Sequence, residues 1–172
     1  MAGYLLDLNH VSAFFEKKPN VIARAKAAGE SQLRACAITC GELDGGHQMT
    51  ATTNQARRTE YIKWFNETFL PNVLAVTATT RTHYGEIIAA IFTKYPKKKP
   101  KQKTERYLVE TLGIDINDVW LAAVALEHNL VLVTQDGMDK IREAVAPKGL
   151  MIENWIDEAI SSPNASQPPV SR

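Results

Sequence analysis

The sequence predicts an α/β fold in which a central, mainly parallel sheet is covered by helices on both faces. Short apolar runs rich in Leu and Val recur along the chain, and segments with the apolar spacing of helices separate them. Parallel neighbours need crossover connections, which helices normally supply. The length of 172 residues suits one domain. We place that domain at residues 1–160 and expect a disordered tail at 161–172, where SSPNASQPPVSR is polar and rich in proline.

Five segments predict strands because they are short, apolar and bounded by turn or capping residues. They are GYLLD at 3–7, LRACAIT at 33–39, NVLAV at 72–76, LVLVT at 130–134 and LMIEN at 150–154. The segment LVLVT is the clearest, because β-branched valines alternate with leucines. These strands should pair within one sheet.

The segments between the strands predict helices. In the first half these are VSAFF at 11–15, PNVIARAKAAG at 19–29 and a helical hairpin over 40–69. Pro19 is suited to begin the second helix and Gly29 to end it. Thr39 and Glu42 have capping-box spacing, which predicts that the hairpin begins there. The pair at 45–46, two glycines, suggests a bend.

In the second half the predicted helices are THYGEIIAAIF at 82–92, DVWLAAVALEH at 118–128 and a last helix at about 136–146. Asn117 is placed to cap the second of these, and Asn129 stands where a helix-ending residue would. The first ends near Tyr95 and Pro96. After this break comes the basic stretch KYPKKKPKQK at 94–103, which is either a solvated face or a contact for RNA phosphates.

Composition narrows the class of protein. The chain has 20 Lys and Arg against 19 Asp and Glu, with 45% hydrophobic residues, so net charge indicates no particular partner. Cys36 and Cys40 lack a second ligand pair, and we interpret them as thiols in a reducing compartment. There is no signal-peptide pattern and no run of about 20 apolar residues. We therefore expect a cytoplasmic protein with no membrane association.

Four acidic residues fall where a parallel α/β sheet collects its ligands, outside the carboxyl ends of the strands. Asp7 ends the first strand, and Glu42 follows the second. Asp118 begins the helix before LVLVT, and Asp136 follows that strand. Singly, the last three have structural explanations: a capping box for Glu42, the helix dipole for Asp118 and a turn for Asp136. Asp7 interrupts an apolar strand, which favours a functional role.

Together, these four carboxylates predict a metal site. Two carboxylates about 4 Å apart repel by roughly 4 kcal/mol at an effective dielectric of 20, so the cluster needs a cation. Mg²⁺ or Mn²⁺ fits a site of oxygen ligands without histidine. Such a metal can activate a water and stabilise charge on a phosphodiester. The dispersed histidines, His10, His47, His83 and His128, fit structural or surface roles, and no phosphate loop or nucleophile elbow is present.

At these residues the chain resembles the PIN-domain nucleases, specifically the VapC-like toxin ribonucleases of toxin–antitoxin modules. The resemblance rests on YLLDLNHVSAFF, AITCGELDGG, NDVWLAAVAL, LVLVTQD and LMIENW. It implies a three-layer α/β/α fold, and metal binding and catalysis by Asp7, Glu42, Asp118 and Asp136. It also implies cleavage of an RNA substrate, inhibition by a cognate antitoxin protein and a homodimer. The alternatives are a non-catalytic RNA-binding PIN module and a housekeeping RNA-processing nuclease without an antitoxin.

The sequence departs from the family pattern in three places. Leu8 stands where the family usually has Thr or Ser, so we expect no hydroxyl contact in the site. A long basic link precedes Asp118. Finally, Asp139 competes with Asp136, and Asp115 with Asp118. We favour Asp136 because it follows the strand, and Asp118 because it precedes WLAA.

Overall fold

The computed structural model describes residues 3–49, 54–97 and 101–157. Within these ranges the chain forms three layers, with helices on both faces of a four-stranded parallel sheet in the order β2-β1-β3-β4. The predicted α/β/α fold with a parallel sheet is therefore confirmed. The tail at 161–172 and part of the basic stretch lie outside the described residues.

The strands are short. They are β1 Tyr4–Leu6, β2 Leu33–Arg34, β3 Val131–Val133 and β4 Ile152–Glu153. In the central pair, Leu5 is in register with Leu132, and Leu6 with Val133. Because successive side chains of a strand point to opposite faces, Leu5 and Leu132 belong to one hydrophobic core, while Leu6 and Val133 belong to the other.

The helices enclose this sheet and account for most of the described chain. They are α1 Leu8–Phe15, α2 Pro19–Ala28, α3 Ala37–Gln48, α4 Gln55–Thr68, α5 Ala78–Lys94, α6 Thr104–Arg106, α7 Ile116–Glu127 and α8 Asp139–Val145. Helix α6 continues as a π-helical segment, Tyr107–Leu112, which ends at Gly113. Helices α1 to α4 contribute to the core that contains Leu6, and α5, α7 and α8 to the core that contains Leu5.

The second strand and the helix after it differ from the prediction. Only Leu33–Arg34 pairs as a strand, and α3 already begins at Ala37 with Cys36 as its N-cap. The capping box of Thr39 and Glu42 is therefore wrong. Thr39 is fully buried and its hydroxyl donates to the Leu6 carbonyl at 3.5 Å, so the site of helix initiation was set by packing against β1.

The third predicted strand, NVLAV, is not a strand in the structure. Leu74 forms an isolated bridge with Cys36, and its N–H donates to the Ala35 carbonyl at 2.9 Å. A 3₁₀ turn, Leu70–Asn72, precedes the segment and Thr77 caps α5 after it. The pairing does not continue beyond Leu74 because the chain opposite it turns into α3 directly after Cys36.

Three smaller predictions are also corrected. Helix α3 runs through Gly45 and Gly46 to Gln48 without a break. The N-cap of α7 is Asp115, not Asn117, because the Asp115 carboxylate accepts from the Asn117 N–H at 2.8 Å. The last helix begins at Asp139, later than predicted, because Met138 before it adopts a left-handed conformation with φ 44°.

Two expectations about helix ends hold. Gly29 ends α2 with φ 87°, and Asn129 adopts φ 51° just beyond α7. Cys36 is buried and Cys40 half-buried, both as free thiols. Among the described residues, no helix combines the length and apolar character that a membrane span requires.

Candidate active site

The four predicted acids line one cleft of about 660 Å³. They reach it from different elements: Asp7 from the end of β1, Glu42 from α3, Asp118 from the first turn of α7 and Asp136 from the loop after β3. Parallel pairing makes this possible because it brings the carboxyl ends of β1 and β3 side by side. Two further acids, Asp115 and Asp139, also line the cleft.

Asp7 is held firmly at the base of the cleft and is only 5% exposed. Its Oδ1 accepts from the Leu8 N–H at 2.5 Å as the N-cap of α1, and its Oδ2 accepts from the Thr134 hydroxyl at 2.9 Å. Burial raises the pKa of Asp7 above its usual value, and the charge of Asp136 raises it further, while the two hydrogen bonds oppose this shift. The two hydrogen bonds thus fix the orientation of this carboxylate.

Thr134 is a functional residue that the sequence analysis missed. Its hydroxyl oxygen also accepts from the Asp136 N–H at 3.1 Å, so it joins the first and fourth acids. The expectation that Leu8 leaves the site without a hydroxyl contact is therefore wrong, since Thr134 supplies one from the end of β3. The only signal in the sequence was its position after LVLV, shortly before the candidate acid.

Glu42 is positioned by a contact between α3 and α7. Its Oε1 accepts from the Asn117 side-chain amide at 2.6 Å. Burial is the main cause that raises the pKa of Glu42, and the charges of Asp7, Asp115 and Asp136 add to it. Asn117, which the sequence analysis interpreted as a helix cap, thus orients a site residue instead.

Asp118 is the most perturbed acid of the cleft. Its pKa is raised from 3.8 to about 7, first by burial and then by the charges of Asp115, Asp136, Asp7 and Glu42. A carboxyl whose ionisation is opposed by four neighbouring acids, in a cleft, is typical of a functional site. At neutral pH this carboxyl is therefore close to half protonated.

Asp136 is better placed than Asp139 to act with the other three acids. Its charge raises the pKa of Asp7, Glu42 and Asp118, and its Oδ2 accepts from the Asn9 amide at 3.4 Å. Asp139 begins α8 on the same cleft wall. Lys140 beside it also lines the cleft, and its ammonium donates to the Leu112 carbonyl.

The donor set fits a hydrated hard cation. Within residues 3–49, 54–97 and 101–157, no three acidic, histidine or cysteine side chains stand close enough to hold an ion by themselves. Mg²⁺ usually binds through one or two carboxylates and keeps several waters, so complete enclosure is not required. Carboxylates whose pKa values are raised by burial and by neighbouring acids match that chemistry.

The described histidines lie outside this cleft. His10 is fully buried, and its Nε2 accepts from the Trp155 N–H at 3.0 Å. Burial lowers the pKa of His10 to about 4, so it is neutral at physiological pH. This matches the structural role expected from the sequence.

No protein-family model and no curated protein sequence matches the chain. Several solved structures do match it. VapBC-1 from nontypeable Haemophilus influenzae is 25% identical, with a TM-score of 0.61 over 88% of this chain and 97% of that one. DNA-bound VapBC from Salmonella typhimurium is 21% identical, with a TM-score of 0.65 over 90% and 99%.

A third similar structure is FitAcB from Neisseria gonorrhoeae, which is 19% identical with a TM-score of 0.64 over 90% of this chain and 99% of that one. The resemblance inferred from the motifs is therefore confirmed by the fold. The chain shares its three-layer α/β/α fold with these VapBC and FitAcB structures.

Proposed function

We propose that this chain is a Mg²⁺- or Mn²⁺-dependent endoribonuclease that acts as the toxin of a toxin–antitoxin module. The observation that carries the proposal is the convergence of four acids on one cleft, with the pKa of Asp118 raised to about 7 by burial and by neighbouring carboxylates. The likeness to VapBC and FitAcB structures supports the toxin assignment. The choice of RNA rests on the motif resemblance.

In this proposal Asp7, Glu42 and Asp118 would hold a hydrated metal together with water molecules, because no three acids of the described residues are close enough to hold an ion by themselves. Asp136 would complete or support the site. When bound, the metal would activate the attacking water and offset negative charge on the phosphodiester. The protein's own contribution is orientation. Thr134 fixes Asp7, Asn117 fixes Glu42, and Asn9 contacts Asp136. Such supporting contacts preserve the site geometry and so favour reaction.

We further propose a cognate antitoxin and a homodimer as partners. The similar structures are complexes named VapBC and FitAcB, which supports a protein partner for this chain. An antitoxin arginine reaching the cleft would pair bidentately with its carboxylates and compete with the metal. A helix of the antitoxin could also pack against α4, where Trp64 is half-buried, although not through Phe65, whose ring is only 2% exposed.

The test is the variant Asp7→Asn, incubated with total cellular RNA in Mg²⁺ or Mn²⁺, followed by sequencing of the cut ends. The wild-type chain should give defined ends, and Asp7→Asn should give none, because the change removes a ligand charge but keeps the side-chain shape. Asp44→Asn, at an exposed acid on α3, is the matched control and should cut normally. Cleavage by Asp7→Asn at the wild-type rate would refute the site.

A Mn²⁺ titration by calorimetry separates catalysis from binding. Metal and RNA binding without any cleavage would identify a non-catalytic RNA-binding module.

A further inference from the structure

A second cavity, of about 310 Å³, lies between α1 and the beginning of α4. We call it the arginine pocket. Its polar lining consists of Ser12, Glu16, Asn54, Arg57, Arg58 and Tyr61. Nothing in the proposed catalytic site uses these residues, so their arrangement needs its own explanation.

The arginine pocket is positively charged. Arg57 pairs with the Glu16 carboxylate at 2.9 Å. Within the described ranges the structure gives Arg58 no ion pair, although this side chain is half-buried. The lining thus contains two guanidinium groups and one carboxylate, which leaves an excess positive charge at the cavity.

Both arginines lie at the amino end of a helix, where a positive charge destabilises the fold. Helix α4 begins at Gln55, so both lie in its first turn, which carries no acidic residue. The amino end of a helix is partly positive and disfavours cations. A bound anion would remove this conflict, because it would interact favourably with both guanidinium groups.

Two hydroxyl groups complete a set of donors suited to a phosphate. The Ser12 and Tyr61 oxygens are 2.8 Å apart, so one donates to the other and the remaining proton can be donated to a ligand. Tyr61 is 8% exposed, which fixes its ring. Arginine forks and hydroxyl groups are common contacts to nucleic-acid phosphates.

Helix α1 connects this pocket to the acidic cleft. Asn9 lines the cleft, whereas Ser12 and Glu16, three and seven residues later on the same face, line the pocket. At a rise of about 1.5 Å per residue these positions lie roughly 4.5 and 10.5 Å farther along the helix. At a rise of about 3.4 Å per stacked nucleotide, this distance corresponds to roughly one to three nucleotides.

We infer that the arginine pocket binds a backbone phosphate of the RNA strand, about one to three nucleotides from the bond held in the acidic cleft. The inference rests on the proposed function and adds a subsite that positions the strand. The charges of Arg57 and Arg58 supply affinity for the phosphate, and the hydroxyl groups of Ser12 and Tyr61 orient it. Because phosphate contacts carry no base information, the pocket fixes register and leaves sequence choice to other residues.

The first experiment measures binding of a fluorescent single-stranded oligoribonucleotide in EDTA, using Asp7→Asn to prevent cleavage. Adding Arg57→Gln and Arg58→Gln should weaken binding several-fold and lower the slope of log Kd against log salt by about 0.7 for each phosphate that is no longer neutralised. Arg57→Lys with Arg58→Lys should keep most of the slope. Both variants should retain the wild-type circular dichroism spectrum and melting temperature, because the helix end carries no more positive charge than before.

Lys26→Gln with Arg81→Gln is the matched control, since both residues are exposed, lie on other helices and belong neither to the pocket nor to the basic stretch at 94–103. It should change the slope less than the arginine pair does. An equal drop would indicate a general charge effect and overturn the inference, as would an unchanged slope in the arginine variant.

A second experiment locates the phosphate. Single linkages of the oligonucleotide are replaced in turn with uncharged methylphosphonate. Replacing one particular linkage near the cleavage point should weaken binding to the Asp7→Asn protein. The same replacement should cause no further weakening in the protein in which Arg57 and Arg58 are also replaced by glutamine. Additive effects at every linkage would refute the subsite.

Cleavage by the wild-type chain is measured separately. If the wild-type chain cleaves RNA and every linkage has the same effect with and without the two arginines, only the subsite is wrong. If the chain does not cleave RNA but the effect of one linkage depends on the two arginines, the catalytic proposal fails while the subsite stands.

Discussion

At the scale of single residues, the acidic cleft is defined by how each carboxylate is held. Asp7 and Glu42 each accept a short side-chain hydrogen bond from a residue that is distant in sequence, Thr134 and Asn117 respectively. Asp118 instead is surrounded by like charges. The cleft therefore combines fixed geometry with unrelieved repulsion, and each property has a measurable consequence.

The contact of Thr134 with Asp7 should matter for metal binding. Thr134→Val removes the hydroxyl but keeps the shape, so Asp7 no longer has this donor and the Asp136 N–H no longer has its acceptor. Mn²⁺ affinity and cleavage should fall about 10- to 100-fold, as is common when supporting contacts of metal ligands are removed. Thr134→Ser, which restores the hydroxyl, should recover most of both. Wild-type Mn²⁺ affinity in Thr134→Val, measured by calorimetry, would contradict this role.

The pKa of Asp118 predicts how pH affects the metal-free protein. Because the folded pKa of about 7 lies above the ordinary 3.8, the ionised group opposes folding. The free energy of unfolding should therefore fall as pH rises from about 4 through about 7. Asp118→Asn should remove this fall and stabilise the metal-free protein by about 1 to 2 kcal/mol at about pH 8, well below the full shift because the group is only half-buried.

Urea unfolding in EDTA measures this effect. The exposed Asp44→Asn variant should leave the pH dependence as in the wild type. Saturating Mn²⁺ should raise wild-type stability and leave Asp118→Asn much less affected. If Asp118→Asn is no more stable than the wild type at about pH 8, ionisation of Asp118 does not lower the free energy of unfolding.

At the scale of elements, the segment between the basic stretch and the acidic cleft has an unusual backbone. The π-helical turn Tyr107–Leu112 ends at Gly113, which has φ 65°, and Ile114 and Asp115 follow directly into the cleft wall. π-helical turns occur frequently at functional sites. Here the turn sets the direction in which the chain enters α7.

Gly113→Ala should destabilise the fold by about 1 kcal/mol, because its left-handed conformation is strained for a residue with a Cβ. Gly85→Ala is the matched control. Gly85 lies in the interior of α5 and is exposed, with no atom within 4 Å of an added Cβ. That change should stabilise the protein by about 0.5 to 1 kcal/mol. Equal effects of the two changes on urea unfolding would show that the Gly113 conformation is not required.

At the scale of the whole molecule, one sheet edge carries the chemistry and the two cores hold that edge in place. Helices from both faces contribute, since α3 brings Glu42 from one side and α7 brings Asp118 from the other. The four candidate acids line an open cleft. The proposed restraint by an antitoxin therefore has a direct physical route, namely occupation of the carboxylates by a cationic side chain.

Expression of the chain in bacteria tests this restraint. The wild-type chain should slow growth because uncontrolled cleavage depletes RNA, and co-expression with the neighbouring reading frame should relieve the effect. The Asp7→Asn variant should be harmless without help. Normal growth during strong expression of metal-active protein would instead favour a housekeeping nuclease.

Much of this architecture could be predicted because it depends on local patterns. The apolar runs at 3–7 and 130–134 are buried strands, and the helix signals at Pro19 and Gly29 are where the structure has them. The four candidate acids were found because each follows or precedes such an element. Their roles as ligands remain a prediction, whereas their shared cleft is a property of the fold.

Other features depend on packing that local patterns do not encode. LRACAIT and NVLAV have strand-like composition, yet Thr39 packs beneath Leu6 in a helix and Leu74 forms only an isolated bridge with Cys36. Thr134 reaches Asp7 across 127 residues of sequence, and Asn117 reaches Glu42 across 75. Such contacts depend on strand order and register, which the packing of both cores fixes together. Local sequence is therefore enough to identify the residues at the sheet edge, whereas the assembled fold alone establishes which of them touch.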